Sequence, residues 1–126
     1  MTQDQRTAKV VINGRDVSVE WTGAAARELA RRPRPLVIEL ELYFSCLVKK
    51  FVHFHDEAGD RKTVAANDKL HLYFRPVTST ACSFEVAERL GRQPETDLHS
   101  EAVGRIAPKK VSLDFARGAW QGHYSL

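Results

Sequence analysis

The chain has 126 residues, with 19 lysines and arginines against 16 aspartates and glutamates, which gives a formal net charge of +3. This length suits one domain, and 43% hydrophobic with 28% charged residues excludes a mainly disordered chain. No apolar run approaches the roughly 20 residues that cross a bilayer, and residues 1–6 lack the apolar stretch of a secretory signal. We therefore expect a single cytoplasmic domain over residues 1–126 that contacts no membrane.

The first predicted elements are a β-hairpin and a helix. Apolar and polar residues alternate on both sides of Asn13-Gly14, and an Asn-Gly pair in such a pattern is typical of a hairpin turn. Residues 23–32 are rich in helix-forming residues, and Pro33 ends that helix.

Residues 36–55 are the most informative segment. Their even positions are mostly apolar and their odd positions are mixed, which predicts one long strand with a buried face, interrupted by a bend or bulge. A helix beginning near Ser45 is the alternative, because the apolar residues after it also fit a helical spacing.

The rest of the chain is predicted to form three strands and two helices. A strand over Leu70–Arg75 is closed by Pro76, and a polar loop, Thr78–Ser83, precedes a helix that ends near Leu90. A weaker helix covers Glu95–Arg105, and two strands flank the turn at Arg117-Gly118. The resulting fold class is α+β, a mainly antiparallel sheet in the order β-β-α-β-β-α-α-β-β with helices on one face.

The odd face of the long strand suggests an interface. If helices cover the even face, the stripe formed by Tyr43, Leu47, Phe51 and His53 faces solvent or another subunit. Two sheets packed through this stripe would form a symmetric homodimer. The leading functional hypothesis is therefore a non-enzymatic binding or assembly module that binds through these residues.

Cys82 supports an alternative hypothesis, a small enzyme or thiol-based sensor. It lies where the Thr78–Ser83 loop meets a predicted helix, and the first turn of a helix stabilises a thiolate. Arg75 is the candidate partner, although no histidine lies beside Cys82 in the sequence. An inert cysteine at a helix cap is the interpretation we favour, and we expect no disulfide with Cys46.

The histidines offer a candidate metal site. His53 and His55 lie two residues apart, so both point to one face of a strand, and His71 in the next strand is a potential third ligand. Histidines on a solvated surface explain the same pattern without a metal. We therefore expect no cofactor.

The arginines of residues 27–34 support a third hypothesis, an anion or nucleic-acid binder. Arg27, Arg31, Arg32 and Arg34 lie close together, and Arg31 and Arg32 are its candidate binding residues. Glu39 and Glu41 share the odd face with the aromatic residues, where they would repel a phosphate backbone. A small anion remains the alternative ligand, and we do not expect nucleic acid.

Overall fold

The computed structural model describes residues 6–44, 48–79, 95–97 and 106–126. This part of the chain forms two β-sheets and one helix. The strands are β1 (Thr7–Ile12), β2 (Arg15–Trp21), β3 (Leu36–Phe44), β4 (Val48–His55), β5 (Val64–Asn67), β6 (Leu70–Ser79), β7 (Glu95–Asp97), β8 (Lys110–Ala116) and β9 (Ala119–Ser125), and helix α1 spans Gly23–Arg31.

The first sheet has the order β1-β2-β8-β9, and its two inner strands, β2 and β8, run parallel. Each half of this sheet is a hairpin. Asn13 and Gly14 turn the first with φ values of 53° and 75°, and Arg117 and Gly118 turn the second with 57° and 76°. Both predicted hairpin turns are confirmed. Asparagine and glycine readily accept the positive φ that a two-residue turn requires, and Arg117 adopts it as the first residue of the second turn.

The second sheet has the order β4-β3-β6-β5, and β7 also pairs with β6. Strand β3 runs antiparallel to β4 and parallel to β6. Eight of the nine residues of β3 are buried, so both faces of this strand are covered. A central strand with two buried faces is expected to be apolar throughout, and Glu39 and Glu41 are therefore unusual.

The core lies between the inner faces of the two sheets. It combines residues of both, among them Val17, Val19 and Leu113 from the first sheet and Ile38 and Leu40 from the second. A Cβ atom at Gly122 of β9 would lie 3.2 Å from Val52 Cγ1 and 3.3 Å from Phe54 Cζ of β4. The sheets thus approach closely at this position, and glycine makes that approach possible.

Helix α1 connects the first sheet to the second. Thr22 caps it, because its hydroxyl oxygen accepts a hydrogen bond from Ala25 N at 3.1 Å. The same hydroxyl donates to Asp114 Oδ1 at 2.6 Å, which fixes the helix to β8. The predicted helix and its end before Pro33 are confirmed. In the described ranges this nine-residue helix is too short to cross a membrane.

The predicted α+β order is wrong, because the described chain is mostly sheet. The predicted long strand is two strands, β3 and β4, that pair with each other. The helix considered from Ser45 is also wrong for residues 48–55, which are strand. Because alternation continues unchanged through a hairpin of this register, the pattern did not reveal where the chain reverses.

The later elements need further corrections. Strand β6 continues through Pro76 to Ser79, so Pro76 does not close it, and Thr78 lies in a strand rather than a loop. Pro76 is aligned with Leu42 of β3 on one side. On the other side it falls in a gap between the residues that pair with β5 and those that pair with β7, where proline is tolerated. Glu95–Asp97 form strand β7 and not the start of a helix. The rest of both predicted helices, with Cys82, lies outside the described residues.

Candidate functional site

The strongest candidate site lies on the outer face of the second sheet, opposite the core. Side chains from three adjacent strands meet there because of the strand register. Glu39 of β3 is aligned with His53 of β4 and Tyr73 of β6, and Glu41 is aligned with Arg75 of β6. We call this group the acid–histidine face, and its members are Glu39, Glu41, His53, His55, Tyr73 and Arg75.

Glu39 accepts hydrogen bonds from three side chains of this face. His55 Nε2 lies 2.9 Å from Glu39 Oε1, and Tyr73 donates its hydroxyl hydrogen to the same oxygen at 2.9 Å. Arg75 Nη1 donates to Glu39 Oε2 at 3.3 Å. The carboxylate is therefore held in position from both neighbouring strands.

Glu41 forms the second acid–histidine pair. His53 Nε2 lies 2.8 Å from Glu41 Oε1, and Arg75 Nη1 lies 4.0 Å from the same oxygen. Glu41 is only 2% exposed, whereas the side chain of His53 is 40% exposed. Each histidine reaches diagonally to the glutamate beyond its own register partner, so the two pairs have the same geometry.

The pKa values of Glu39 and Tyr73 follow from these contacts. Burial alone raises the pKa of the Glu39 carboxyl, but hydrogen bonds from His55 and Tyr73, with the charges of His53 and Arg75, lower it below its ordinary value. Burial and the bond to the Glu39 carboxylate raise the pKa of Tyr73 to about 12. At neutral pH the face therefore combines an ionised Glu39 with a protonated Tyr73.

The predicted interface stripe is partly assembled on the same face. The rings of Tyr43 and Phe51 lie 6.5 Å apart in a T-shaped contact, and Phe51 stacks on His53 at 6.3 Å. Tyr43 is buried, Phe51 is 39% exposed, and Leu47 lies outside the described residues. Tyr43 and Phe51 thus extend the acid–histidine face from His53 towards the C-terminal end of β3.

The predicted histidine set is only partly brought together. Val37 is aligned with both His55 and His71, which puts His71 on the same face. Within the described ranges, however, His53 and His55 each contact a different glutamate. The side chains that do come together are Glu39, Glu41 and His53, whose potential ligand atoms lie within 4.8 Å of one another.

Three of the four arginines in the predicted anion site have acidic partners. Arg32 Nη2 lies 2.6 Å from Asp56 Oδ1 and Arg34 Nη1 lies 2.8 Å from Glu57 Oε1, while Arg31 Nη1 lies 3.5 Å from Glu28 Oε1. The pairs of Arg32 and Arg34 tie the chain after α1 to the residues after β4, whereas the pair of Arg31 lies within α1. Because an incoming anion would have to compete with these carboxylates, the geometry does not favour an anion site here.

Arg75 does not stand beside a described thiol. It contacts Glu39 and Glu41, and the position of Cys82 relative to it lies outside the described residues. The sequence prediction missed Glu39, Glu41 and Tyr73 as site residues. The available signal was the pair of glutamates two residues apart in an otherwise apolar strand, which places two charges on one face of a buried element.

No protein-family model, curated protein or solved structure matches the chain.

Proposed function

We propose that this protein is a non-enzymatic binding module whose ligand contacts the acid–histidine face. One observation carries the proposal: two nearly buried glutamates stand in an apolar strand, and each is hydrogen-bonded to a histidine whose side chain is 40% or 41% exposed. The ligand would approach from the histidine side, where the face is open.

The free-energy cost of burying the two carboxylates supports a functional role for them. Burying an ionised carboxylate costs several kcal/mol per ion, and replacing a buried ion pair by apolar residues is often neutral or stabilising. Val37 and Tyr43, which lie on the same face of β3 as the two glutamates, are buried apolar residues. Folding of this strand alone therefore gives no reason for a glutamate, whereas a fixed carboxylate is useful for binding.

The charge of the face indicates the class of ligand. By formal charge, the two glutamates and the one arginine of this face sum to one net negative charge when both histidines are counted as neutral. A cationic or hydrogen-bond-donating ligand is therefore favoured over an anion. The exposed imidazoles supply acceptor nitrogens, and the glutamates behind them orient the rings.

Imidazole NMR spectra test this proposal directly. Titration with a panel of small organic cations and divalent metal ions is expected to shift the ring resonances of His53 and His55. His123, exposed in the first sheet, is the internal control and should not move. Shifts of His123 that equal those of His53 and His55 for every panel member would contradict a site on this face.

Denaturant unfolding tests whether the Glu41–His53 pair contributes to the stability of the fold. We expect the double variant Glu41→Leu with His53→Leu to unfold at the same denaturant concentration as the wild type, or a higher one. The matched single variant His53→Leu should be less stable, because it leaves the buried carboxylate without its histidine. If the double variant loses more than about 2 kcal/mol of unfolding free energy, the pair stabilises the fold and its burial needs no functional explanation.

Self-association is a second candidate function, favoured by the exposed aromatic ring of Phe51 in the predicted stripe. Phe51 is 39% exposed, and β4 is the last strand at one end of its sheet. Phe51→Glu should convert a homodimer into a folded monomer, as measured by light scattering with circular dichroism. A wild type that is already monomeric, or a variant that stays dimeric, would reject the stripe as an interface. The cytoplasmic location stays a prediction.

A further inference from the structure

We infer that Glu39, Glu41 and His53 form a binding site for a divalent transition-metal ion. The inference rests on the proposed function, because it names the ligand of the same face. One ligand atom from each residue lies within 4.8 Å of the other two. The three residues come from two hydrogen-bonded strands, so the sheet fixes their backbone positions.

The distances suit a metal ion of the size of Zn²⁺. Zinc bonds to carboxylate oxygen and imidazole nitrogen are roughly 2.0–2.2 Å long, so two ligands of a tetrahedral ion lie roughly 3.3 Å apart. His53 Nε2 and Glu41 Oε1 are 2.8 Å apart. Small side-chain rotations, without movement of the strands, would open this pair around an ion.

Glu39 retains acceptor capacity for a metal ion. A carboxylate has about four acceptor positions, and Glu39 uses two on Oε1, for His55 and Tyr73, and one on Oε2, for Arg75. Among the residues that the structure describes, these partners leave one acceptor position on Oε2. The hydrogen bonds from His55 and Tyr73 are the kind of supporting contacts that orient carboxylate ligands around metal ions.

Metal binding would replace the hydrogen in the bond between His53 and Glu41. When His53 is neutral with its proton on Nε2, coordination through Nε2 requires the proton to move to Nδ1. Solvent can carry out that exchange, because the side chain is 40% exposed. The same exposure allows a water molecule to complete the coordination of an ion held by three protein ligands.

The positive charge of Arg75 leads to a prediction that is specific to a metal site, because a guanidinium repels a metal cation. Its Nη1 atom lies 3.3 Å from Glu39 Oε2 and 4.0 Å from Glu41 Oε1. A metal ion that binds the same carboxylates is repelled by the guanidinium. Arg75→Gln should therefore bind Zn²⁺ more tightly than the wild type, whereas loss of a structural arginine alone would leave zinc affinity unchanged or lower.

Calorimetric titration of the chelator-treated full chain with Zn²⁺ tests the site. Glu41→Gln and His53→Gln should each weaken binding by about tenfold or more, and Arg75→Gln should strengthen it. His71→Gln is the matched control, since His71 shares the face but lies outside the inferred ligand set. His123→Gln controls for zinc binding at surface histidines, and circular dichroism confirms that each variant is folded.

Two results would overturn the inference. One is a zinc affinity that Glu41→Gln and His53→Gln leave unchanged, and the other is a loss in His71→Gln equal to the loss in His53→Gln. If either result is found for Zn²⁺ while an organic cation shifts the His53 and His55 resonances, the metal site is rejected and the proposed binding face is retained. If no panel member shifts those resonances, the proposed function fails as well.

Discussion

Replacing Arg75 with glutamine is expected to destabilise the protein by about 3 kcal/mol at neutral pH, the lower end of the cost of breaking a buried ion pair. With an effective dielectric constant of about 20, attraction over 3.3 Å to Glu39 is about 5 kcal/mol and over 4.0 Å to Glu41 about 4 kcal/mol. Desolvation of the guanidinium, whose side chain is 18% exposed, offsets most of this gain. Glutamine also keeps an N–H donor, so we expect a loss of stability at the lower end of the cost of breaking a buried ion pair.

Urea denaturation of wild type and Arg75→Gln at several pH values measures this effect. The difference in unfolding free energy should be largest near neutral pH and should shrink in acid, as the pH falls through the lowered pKa of Glu39 and its carboxyl no longer needs a counter-charge. Arg75→Lys is the control, because it retains the charge and should lose less stability. A loss below about 1 kcal/mol at neutral pH, the size of an exposed ion pair, would refute the assignment of Arg75 as the counter-charge of both glutamates. A loss that does not change with pH would refute it too.

Three further predictions concern other parts of the fold. Gly122→Ala should destabilise by about 1 kcal/mol in thermal unfolding, since the clash with Val52 outweighs the propensity gain of alanine; Val52→Ala in the same chain should recover part of the loss, and a more stable single variant would contradict the close approach. Thr22→Ala should cost about 1 kcal/mol through the lost cap and the lost bond to Asp114, while Thr22→Ser should cost less; equal losses would count against the hydroxyl. Because the folded pKa of Glu39 is below its ordinary value of 4.5, its stabilising contribution is present above that pH and is lost as the pH falls through the folded pKa; Glu39→Gln should flatten the acid limb of stability against pH, and an unchanged limb would reject the assigned cause.

The sequence predicted local structure well where one or two residues determine it. Asn13-Gly14 tolerates positive φ, and Pro33 cannot continue a helix, so both elements were predictable from local chemistry. It also predicted correctly that Tyr43, Phe51 and His53 share a face. Odd-numbered residues pair with odd-numbered residues across the β3–β4 hairpin, so one strand and two paired strands give the same division of faces.

The predictions that failed depend on contacts between distant segments. Nothing in residues 36–44 indicates that β3 is central, because β4 and β5 separate it in sequence from β6, its parallel neighbour in the sheet. Once β3 is central, Glu39 and Glu41 become buried, and they need the partners that β4 and β6 supply. The sequence prediction therefore left the two glutamates out of the site, since an isolated strand cannot show which neighbour neutralises a carboxylate.

The parallel pairing of β2 with β8 also has a consequence for biosynthesis. The bond between Thr22 and Asp114 joins residues 92 positions apart. At a synthesis rate of about 5–20 residues per second, β8 leaves the ribosome roughly 5–20 s after β2. During that interval the N-terminal hairpin lacks the strand that covers its inner edge. Pairing of this kind also gives a high contact order and slow folding. A nascent chain stalled before β8 is therefore expected to expose a β-edge that chaperones would bind.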